Sequence, residues 1–462
     1  MNAGGFAIVK RMQKAPKWLR TAGLVLAAFA GGAVTSHLAN ASTQSSSPYA
    51  PFEQLSRVLV LVENSYVEPA QRNKIIEGAI KGMVAELDPH SVYMNPTEYA
   101  IFQGDTEGKF GGIGVEVDYR SEFVTILAPI EGSPAERAGI KAGDQILAIN
   151  GKSVRGEPID KLVGLMRGPA GSKVRILLRR PGVADPIQME LMREEIHVQS
   201  VVSKRLADDV AYIRLRQFQE GTHEELLRAA GSVRAEGKSP LKGVLLDMRN
   251  NPGGLVDEAE AVADEFLASG AIYSTRHRGK IIDEVKAQSG GAFTAIPVVV
   301  LVNEYSASSA ELVAGALQDS RGATVVGANT FGKGSVQTIF ELPGGAGLRL
   351  TTMRYYTPSG RSIQAEGIKP DFEISALPPA EGSAPSLGIV RERDLEGHLP
   401  ADNAPGTPER KVTVVTGGNT AAGGNTPVVV SPKDIPFNPV KGQDFALSVA
   451  YQLLLKGAGV KR

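Results

Sequence analysis

The feature that most constrains this chain is an alternation of strand-like and helical runs between residues 201 and 374. Short runs rich in Val, Ile and Leu are separated by longer stretches whose apolar residues repeat at every third or fourth position. The predicted strands are Val210–Leu215, Gly243–Asp247, Val298–Val302, Thr324–Val326, Val336–Phe340 and Leu348–Met353. The predicted helices are Glu224–Glu236, Glu258–Leu267 and Ser308–Gln318. Strands that alternate with helices bury their apolar faces in layers, so we expect an α/β layered domain.

Further regions flank this domain and make the chain multidomain, with an α+β content. A helical repeat begins near Phe52 and breaks at Leu87–Ser91. A glycine cluster then opens a run of short alternating strands, which enclose one predicted helix at Ile159–Met166. The predicted regions are an N-terminal segment at 1–41, a helical region at 42–105, a β-rich domain at 106–195, the layered domain at 196–376, a flexible linker rich in Pro, Gly, Ala and Asn at 377–435, and a terminal helix at 436–462.

The N-terminal segment has the three parts of a secretory signal peptide. Its first twenty residues are basic without an acid, an apolar stretch follows at Ala22–Val34, and the segment ends in Ala39-Asn40-Ala41. The apolar stretch is shorter than the roughly 20 residues that span a bilayer, and we expect cleavage after Ala41. The alternative is an uncleaved anchor that meets the membrane only through residues 21–41. Both alternatives export the rest of the chain, to the periplasm or the outer face of the cytoplasmic membrane.

Composition excludes several classes of function. Lys and Arg number 50, and so do Asp and Glu, so no basic excess indicates a nucleic-acid partner. The chain has no cysteine, which excludes disulfides, thiolate catalysis and thiolate-bound metal. No pair among the six histidines has metal-ligand spacing, and none lies in a nucleophile motif. A hydrolytic site in this chain would therefore favour lysine over histidine as its base.

Ser308 stands at a predicted strand-to-helix turn. The strand Val298–Val302 precedes it, and Glu311 follows three residues later. Backbone N–H groups at such a turn lack helical partners, and with the helix dipole they can stabilise an oxyanion. The alternative is an ordinary helix cap of the Ser-x-x-Glu type. On this pattern alone, Ser306 and Ser309 are equally eligible as nucleophiles.

Lys333 lies between Gly332 and Gly334, which allow other groups to pack closely around it. Burial disfavours an ammonium group and lowers its pKa, and the neutral amine can then take a proton from a serine hydroxyl. The alternatives are a surface lysine and a phosphate-binding loop, since Gly327–Lys333 fits G-x-x-x-x-G-K. That loop requires Ser or Thr directly after the lysine and then a helix, whereas this chain has Gly334 and a predicted strand.

A third turn, Asp247–Gly254, comes directly after a predicted strand and ends in Pro252-Gly253-Gly254. The two glycines expose backbone N–H groups and let another segment approach closely. The turn is therefore a candidate for a second oxyanion donor, and a plain turn is the alternative.

Six motifs together resemble the carboxy-terminal processing peptidases, also called tail-specific proteases. They stand in the family's order and spacing and cover about residues 52–375. The motifs are Leu87–Ser91, Phe110–Gly114, Asp247–Gly254, Ser306–Glu311, Gly315–Asp319 and Thr330–Gln337. The resemblance implies a serine endopeptidase with a crotonase/Clp-protease-like core, an inserted PDZ β-barrel and an N-terminal helical segment, without metal or cofactor.

The resemblance also implies roles for individual residues. The nucleophile falls on Ser308, the base on Lys333, and a glutamine that orients the lysine on Gln337. Ser309 stands where many members have alanine, and we expect no loss because the family uses its main-chain group. The residues implied as oxyanion donors, through their backbone N–H groups, are Ser309 and either Gly253 or Gly254.

The stretch Phe110-Gly111-Gly112-Ile113 resembles the carboxylate-binding loop of PDZ domains. Consecutive N–H groups in such a loop bind a terminal carboxylate, and the strand after it pairs with the incoming peptide. The helix Ile159–Met166 would form the opposite wall of the groove, and Arg167 would sense an occupied groove. The alternatives are a PDZ fold that only packs against the protease and an arginine that faces solvent.

The resemblance further implies the partners of the chain. These are protein or peptide substrates with free C-terminal tails, and a homo-oligomer formed through the N- and C-terminal helices. No nucleic-acid partner is expected. The competing function is a catalytically inactive PDZ adaptor in the envelope, and the presence of Ser308, Lys333 and Gln337 argues against it.

Overall fold

The structure, a computed structural model, describes residues 49–120, 123–130, 132–157, 159–375, 390–402, 412–416 and 444–457. The predicted signal segment, residues 1–41, lies outside these ranges. None of the helices in the described ranges is long and apolar enough to cross a membrane. Compact packing divides the chain into two units, one up to Ala79 and one from Ile80 onward.

The first unit is helical in its described residues, as the sequence predicts. Helix α1 spans Ala50–Ser65 and helix α2 spans Arg72–Ala85. Proline in the first turn of α1 suits a helix start, because the N–H that it lacks would have no helical partner there. No residue of α1 is buried against the described residues. Its exposed apolar side chains include Phe52, Leu55, Val58, Val60 and Leu61.

The predicted helical region at 42–105 is wrong in one part, because a strand interrupts it. Strand β1 (Val92–Met94) precedes helix α3 (Pro96–Thr106) and pairs with a strand of the layered domain. The preceding turn explains the change of direction. Asp88 Oδ1 accepts the backbone N–H groups of His90 and Ser91, both at 2.9 Å, and this ends the helical path and leads the chain into the sheet.

The β-rich domain contains two sheets in its described residues. Its elements are β2 (Lys109–Gly112), β3 (Val115–Arg120), β4 (Phe123–Pro129), α4 (Pro134–Arg137), β5 (Gln145–Ile149), β6 (Lys152–Ser153), α5 (Ile159–Met166), β7 (Lys173–Arg179), β8 (Ile187–Met192) and β9 (Glu194–His197). The larger sheet has the order β3-β4-β5-β7-β8, with β6 on β5, and the smaller pairs β2 with β9. Helix α5, whose bounds match the prediction, contributes Leu162 and Met166 to the apolar core of this domain.

The layered domain is built on a central sheet. Its elements are β10 (Val201–Arg205), β11 (Val210–Leu215), α6 (Thr222–Ala235), β12 (Gly243–Asp247), α7 (Val256–Asp264), β13 (Ala271–His277), β14 (Lys280–Lys286), β15 (Val298–Val302), α8 (Ser309–Ala316), β16 (Thr324–Gly327), β17 (Ser335–Leu342), β18 (Ala346–Tyr356), β19 (Phe372–Ser375), β20 (Thr413–Thr416) and α9 (Phe445–Leu455). The central sheet has the order β10-β11-β12-β15-β16-β19-β20 and is parallel except between β10 and β11. A second, antiparallel sheet has the order β1-β18-β13-β14, with β17 on β18.

Burial on both faces explains the continuous apolar runs of the central strands. Every residue of β12 and β15 is buried, as expected for a parallel sheet covered on both sides. On one face, Leu246 and Val300 share a core with residues of α6, α7 and α8. On the other face, Leu245 and Val299 pack in a cluster with Tyr451 of α9. The layered arrangement predicted from the alternating runs is thereby confirmed.

Two parts of the predicted linker at 377–435 are packed against the layered domain, which corrects the expectation of a continuous flexible segment. Strand β20 lies parallel to β19 and extends the central sheet. Residues 390–402 carry a fully buried side chain, Glu392. Composition did not reveal either feature, because one depends on main-chain pairing and the other on a single buried carboxylate. The other linker residues lie outside the described ranges.

Candidate active site

Ser308 lies at the turn between β15 and α8, and its backbone is strained. Its φ of 55° falls in the left-handed region, which residues with a side chain seldom adopt. Its N–H donates to Glu311 Oε2 at 2.8 Å, so the glutamate supplies its half of a Ser-x-x-Glu cap. An ordinary capping residue keeps extended backbone angles, whereas strain of this kind is typical of functional sites.

The structure distinguishes the three serines that the sequence pattern left equal. Ser306 is buried, and its hydroxyl donates to the carbonyl oxygen of Met248 at 2.8 Å. The hydroxyl of Ser309 donates to the carbonyl oxygen of Gly254, also at 2.8 Å. Ser308 is the serine of this turn that lines the neighbouring cavity. The geometry therefore favours Ser308 as the nucleophile.

The cavity has a volume of about 350 Å³ and is lined by both Ser308 and Lys333. Gln337 and the adjacent glycines Gly253 and Gly254, which lie far from Gln337 in the sequence, also line it. The rest of the lining is largely apolar and includes Phe102, Phe218, Leu255, Val256, Ile339 and Tyr355. A cleft of this kind can receive an extended chain with apolar side chains.

The glycines that flank Lys333 permit the close packing that the sequence predicts. A Cβ on Gly334 would lie only 2.3 Å from the backbone nitrogen of Gln364. Burial, followed by the nearby guanidinium of Arg349, lowers the pKa of Lys333 to about 8. A substantial fraction of the amine is therefore neutral near pH 8 and able to accept a proton.

Glu311 is buried and joins two turns. One is the turn at Ser308, named the serine turn, and the other is Phe331–Gly334, named the lysine turn. Its Oε1 accepts the N–H of Gly332 at 2.7 Å and the hydroxyl of Thr330. Its Oε2 accepts the N–H groups of Ser308 and Lys333, both at 2.8 Å. Burial raises the pKa of Glu311 to about 7, although these four hydrogen bonds oppose the shift. Since every partner donates, the carboxylate fixes the separation of the two turns.

The glycine turn after β12 packs directly against Ser308. A Cβ on Gly253 would lie 2.8 Å from the Cβ of Ser308, and a Cβ on Gly254 would lie 1.9 Å from the carbonyl oxygen of Phe218. Both positions therefore require glycine. The N–H of Gly253 donates to Asn251 Oδ1 at 2.9 Å, whereas the N–H of Gly254 donates to no group in the described part of the chain. Of the two, Gly254 is the better candidate for an oxyanion donor.

Gln337, on strand β17, lines the cavity, and hydrogen bonds connect its side chain to Thr351 and through it to Asp88. Its Nε2 donates to Thr351 Oγ1 at 3.3 Å, and that hydroxyl donates to Asp88 Oδ1 at 3.1 Å. Burial by itself would raise the pKa of Asp88, but hydrogen bonds from Ser91, His90 and Thr351 hold it below its ordinary value. The Leu-Asp-Pro-His-Ser motif thus supports the wall of the cavity.

The alternatives to a serine-lysine site gain no support from the geometry. The segment after Lys333 is strand β17, as predicted, so it lacks the helix that a phosphate-binding loop requires. Within the residues that the structure describes, no three His, Asp or Glu side chains are grouped so as to hold a metal ion.

Curated relatives of this chain are proteases. It is 42% identical over 355 residues to the carboxy-terminal-processing protease of Bartonella bacilliformis, an alignment that covers 75% of this chain and 81% of the relative. The chain belongs to the carboxy-terminal processing proteases. It is also 37% identical over 338 residues to the carboxy-terminal processing protease CtpA of Bacillus subtilis, with 73% of this chain and 71% of the relative covered.

Family models extend this finding. The model for peptidase family S41 matches residues 209–374, the PDZ model matches 125–180, and the model for the N-terminal domain of the activating protease CtpB matches 25–97. The photosystem II D1 C-terminal processing protease is 32% identical, with a TM-score of 0.45, and the match covers 67% of this chain and 84% of that chain. The predicted family, the fold class with its PDZ insertion and the assignment as a serine-type peptidase are confirmed.

Two of the four PDZ residues that were predicted to hold a substrate tail, Phe110 and Gly111, line a second cavity, and Gly112 and Ile113 do not. Phe110–Gly112 form β2 and pair with β9, while Ile113 is buried in the PDZ core. The cavity, of about 720 Å³, is lined by Phe110, Gly111 and Arg167 and, on the other side, by helix α3. The guanidinium carbon of Arg167 lies 4.5 Å from the centre of the Phe110 ring, so this arginine faces the cavity and does not simply point into solvent.

The protease has site residues that the sequence did not predict. Glu311 was interpreted as a helix cap, although a charged residue within the apolar helix α8 could have indicated a buried role. Arg349 lines the catalytic cavity, and its Nε donates to the carbonyl oxygen of His90 at 3.0 Å. No local signal distinguishes this arginine, because its position depends on how β18 pairs with β1.

Proposed function

We propose that this protease cleaves exported proteins at or near their C-terminal tails, with Ser308 as nucleophile and Lys333 as general base. The observation that carries the proposal is the shared cavity: Ser308 lines it together with a lysine whose pKa is lowered to about 8. The strained backbone of Ser308 and the fixed separation of the two turns by Glu311 support the same assignment.

The chemistry follows as two acyl-transfer steps. Neutral Lys333 takes the hydroxyl proton of Ser308 while the Oγ of Ser308 attacks the scissile carbonyl. The N–H groups of Ser309 and Gly254 stabilise the resulting oxyanion. The lysine then gives the proton to the leaving amine, and an acyl-enzyme remains. Water attacks this ester with the same amine as base, which releases the acid and restores Ser308. Gln337 orients the lysine amine from the cavity wall.

The PDZ domain is proposed to capture the tail of the substrate. Strand β3 is the end strand of its sheet, so an extended peptide can pair with the outer edge, as in other cases of strand addition. The PDZ cavity has an apolar surface with two cations, Lys109 and Arg167, beside two carboxylates, Glu107 and Glu195, and we propose that one of the cations pairs with the terminal carboxylate of the tail. Capture of a free C-terminus is thereby favoured over a PDZ domain that only packs against the protease.

Helix α3 links the two cavities. Its residues Ala100, Ile101 and Gly104 line the PDZ cavity, whereas Phe102 and Thr106 line the catalytic cavity. A tail that fills the PDZ cavity therefore contacts the same rigid element that forms part of the catalytic wall. Binding can favour an active arrangement of this helix if the tail binds that arrangement more tightly.

Export and self-association complete the proposal. Export rests on the basic, apolar and small-residue pattern of residues 1–41. Self-association rests on helix α1, whose exposed apolar side chains, such as Leu55 and Leu61, are suited to a second copy of the chain. Tyr451 and Leu454 of the C-terminal helix α9 are buried in the core of the layered domain, so this helix would contribute its outer side, which carries the exposed Leu455.

A cleavage assay tests the proposal. The full mature chain is incubated with an unstructured protein, with and without a chelator, alongside its Ser308→Ala and Lys333→Ala variants. We expect cleavage by the unaltered chain in both conditions and none by either variant, with circular dichroism unchanged. Cleavage by Ser308→Ala, or loss of activity in the chelator, would contradict the mechanism. Binding of free-acid tails without any cleavage would instead favour the inactive adaptor.

A further inference from the structure

Residues 390–402, here named the strap, are hydrogen-bonded to the lysine turn and lie beyond the region that the S41 model matches. The strap is anchored at both ends. Near its start, the N–H of Glu392 donates to the carbonyl oxygen of Phe331 at 3.1 Å. At its far end, Asp402 Oδ2 accepts the hydroxyl of Tyr356 at 2.6 Å. The strap is thus a defined element of the protease domain.

The side chain of Glu392 is fully buried and has a partner at each oxygen. Oε1 accepts Gln364 Nε2 at 2.8 Å, and Oε2 lies 2.7 Å from His90 Nε2. Gln364 in turn accepts the N–H of Gly334 at its Oε1, at 3.0 Å. A buried carboxylate is costly unless it is bonded in this way, so the arrangement specifies one position for the strap.

These bonds reach the lysine turn on both sides of the lysine. Phe331 precedes Lys333 by two residues and is held through its carbonyl, while Gly334 follows Lys333 and is held through Gln364. Glu311 also holds the turn, through the N–H of Lys333 itself. Hydrogen bonds therefore connect the turn to two buried carboxylates, one on the helix of the nucleophile and one on the strap.

We propose that Glu392 is a positioning residue for the catalytic base, which holds the turn that carries Lys333 against the serine turn. The inference rests on the proposed role of Lys333 as base. It assigns a catalytic contribution to a segment whose composition suggested a linker.

The charges around Lys333 provide a readout that a purely structural role would leave unchanged. Burial and then Arg349 of β18 lower the pKa of Lys333, whereas three carboxylates raise it: Glu392 of the strap, Glu311 of α8 and Asp88 of the turn before β1. His90 also faces this group through Glu392. Neutralising Glu392 removes one of the influences that favour the ammonium form, so the base should lose its proton at a lower pH.

The test uses the full mature chain and an internally quenched peptide substrate that ends in a free carboxylate, with kcat and KM measured from pH 6 to 10. For Glu392→Gln we expect kcat on the alkaline plateau to fall roughly tenfold or more, since small displacements of a base are costly. KM should stay within about twofold, because the change lies behind the turn and not in the cleft. The acid limb of the kcat profile should move to lower pH.

Two further variants separate charge from position. Glu392→Asp keeps the charge but shortens the reach, so kcat should fall while the acid limb stays where it is in the unaltered enzyme; this variant also serves if Glu392→Gln does not fold. Glu396→Gln is the matched control, since it neutralises an exposed carboxylate of the strap that anchors neither end. It should leave both kcat and the limb unchanged.

The outcomes are distinct from those that test the dyad itself. An unaltered kcat and an unaltered acid limb in Glu392→Gln, or the same changes in Glu396→Gln, would overturn the positioning role while Ser308→Ala remained inactive. An active Ser308→Ala variant would instead overturn the proposed dyad, whatever Glu392→Gln does.

Discussion

Lys333 should reduce the stability of the folded protein at neutral pH. Burial, followed by Arg349, lowers its pKa from 10.5 to about 8, so between these values the unfolded chain binds more protons and stability rises with pH. Below pH 8 the cost is fully present, and it corresponds to about 3 kcal/mol at most. A methionine fills similar volume without a charge to desolvate.

We therefore predict that Lys333→Met raises the urea midpoint of unfolding at pH 7 and that this gain disappears near pH 10.5. Lys369→Met is the control, because Lys369 lies at the surface in an exposed pair with Glu366. It should change the midpoint little at either pH. A lower midpoint for Lys333→Met at pH 7, or a gain that persists at pH 10.5, would contradict the lowered pKa.

The proposed oxyanion donors are main-chain groups, so we expect opposite effects of substitution at Ser309 and at Gly254. Ser309→Ala keeps its N–H and loses only the hydroxyl bond to Gly254, so kcat should stay within about threefold of the unaltered enzyme. Gly254→Ala would place a Cβ 1.9 Å from the carbonyl oxygen of Phe218 and must displace the turn. We expect it to lower kcat by about 100-fold or more, as loss of one oxyanion donor does. Steady-state kinetics on both variants checks this, and equal effects would contradict it.

The surroundings of single residues could be predicted from the sequence where the adjacent residues restrict the backbone or the packing. Glycines beside Lys333 indicated close packing, and a strand-to-helix turn was predicted at Ser308; the structure contains both features. Glu392 was not predictable, because its value depends on contacts with Gln364 and His90 that lie far away in the sequence. Long-range hydrogen bonds leave no local periodicity to detect.

At the scale of whole elements, the proposed link between helix α3 and the PDZ domain predicts that cleavage depends on a free substrate C-terminus. If the PDZ cavity binds the terminal carboxylate, a substrate with an amidated C-terminus should bind more weakly and be cleaved more slowly, because it lacks the charge that would pair with Lys109 or Arg167. Gly112→Leu should have a similar effect, since even a Cβ at this position would lie 3.0 Å from the Phe110 ring. The measurement is kcat/KM for matched free-acid and amidated peptides. Equal values would leave the PDZ domain as a packing element.

Elements were predictable in proportion to how fully they are buried. The strands β12 and β15 are buried on both faces, and their continuous apolar runs gave correct bounds. The hairpin of β13 and β14 was missed, because β14 is almost entirely exposed and mixes charged with apolar residues. Strand β1 was missed because three residues are too few to show an alternating pattern, and only its pairing with β18 defines it.

At the scale of the whole chain, we predict that the signal segment is removed during export. The single tryptophan of the sequence is Trp18, within the predicted signal segment. We expect protein recovered from the exported fraction to begin near Ser42 and to show no tryptophan emission. N-terminal sequencing together with fluorescence checks this. An anchored form would keep its emission and remain with the membrane, and a soluble cytoplasmic pool that retains Met1 would contradict export.

The central claim is that a neutral Lys333 activates Ser308, and the pH dependence of serine labelling tests it most directly. The mature protein is treated with a fluorophosphonate, and the modified peptide is identified by mass spectrometry at a series of pH values. We predict a single adduct on Ser308 whose rate of formation rises through about pH 8, the pKa to which burial lowers Lys333. Lys333→Ala should lose this labelling. An adduct on Ser306 or Ser309, or labelling of Lys333→Ala at the unaltered rate, would contradict the account.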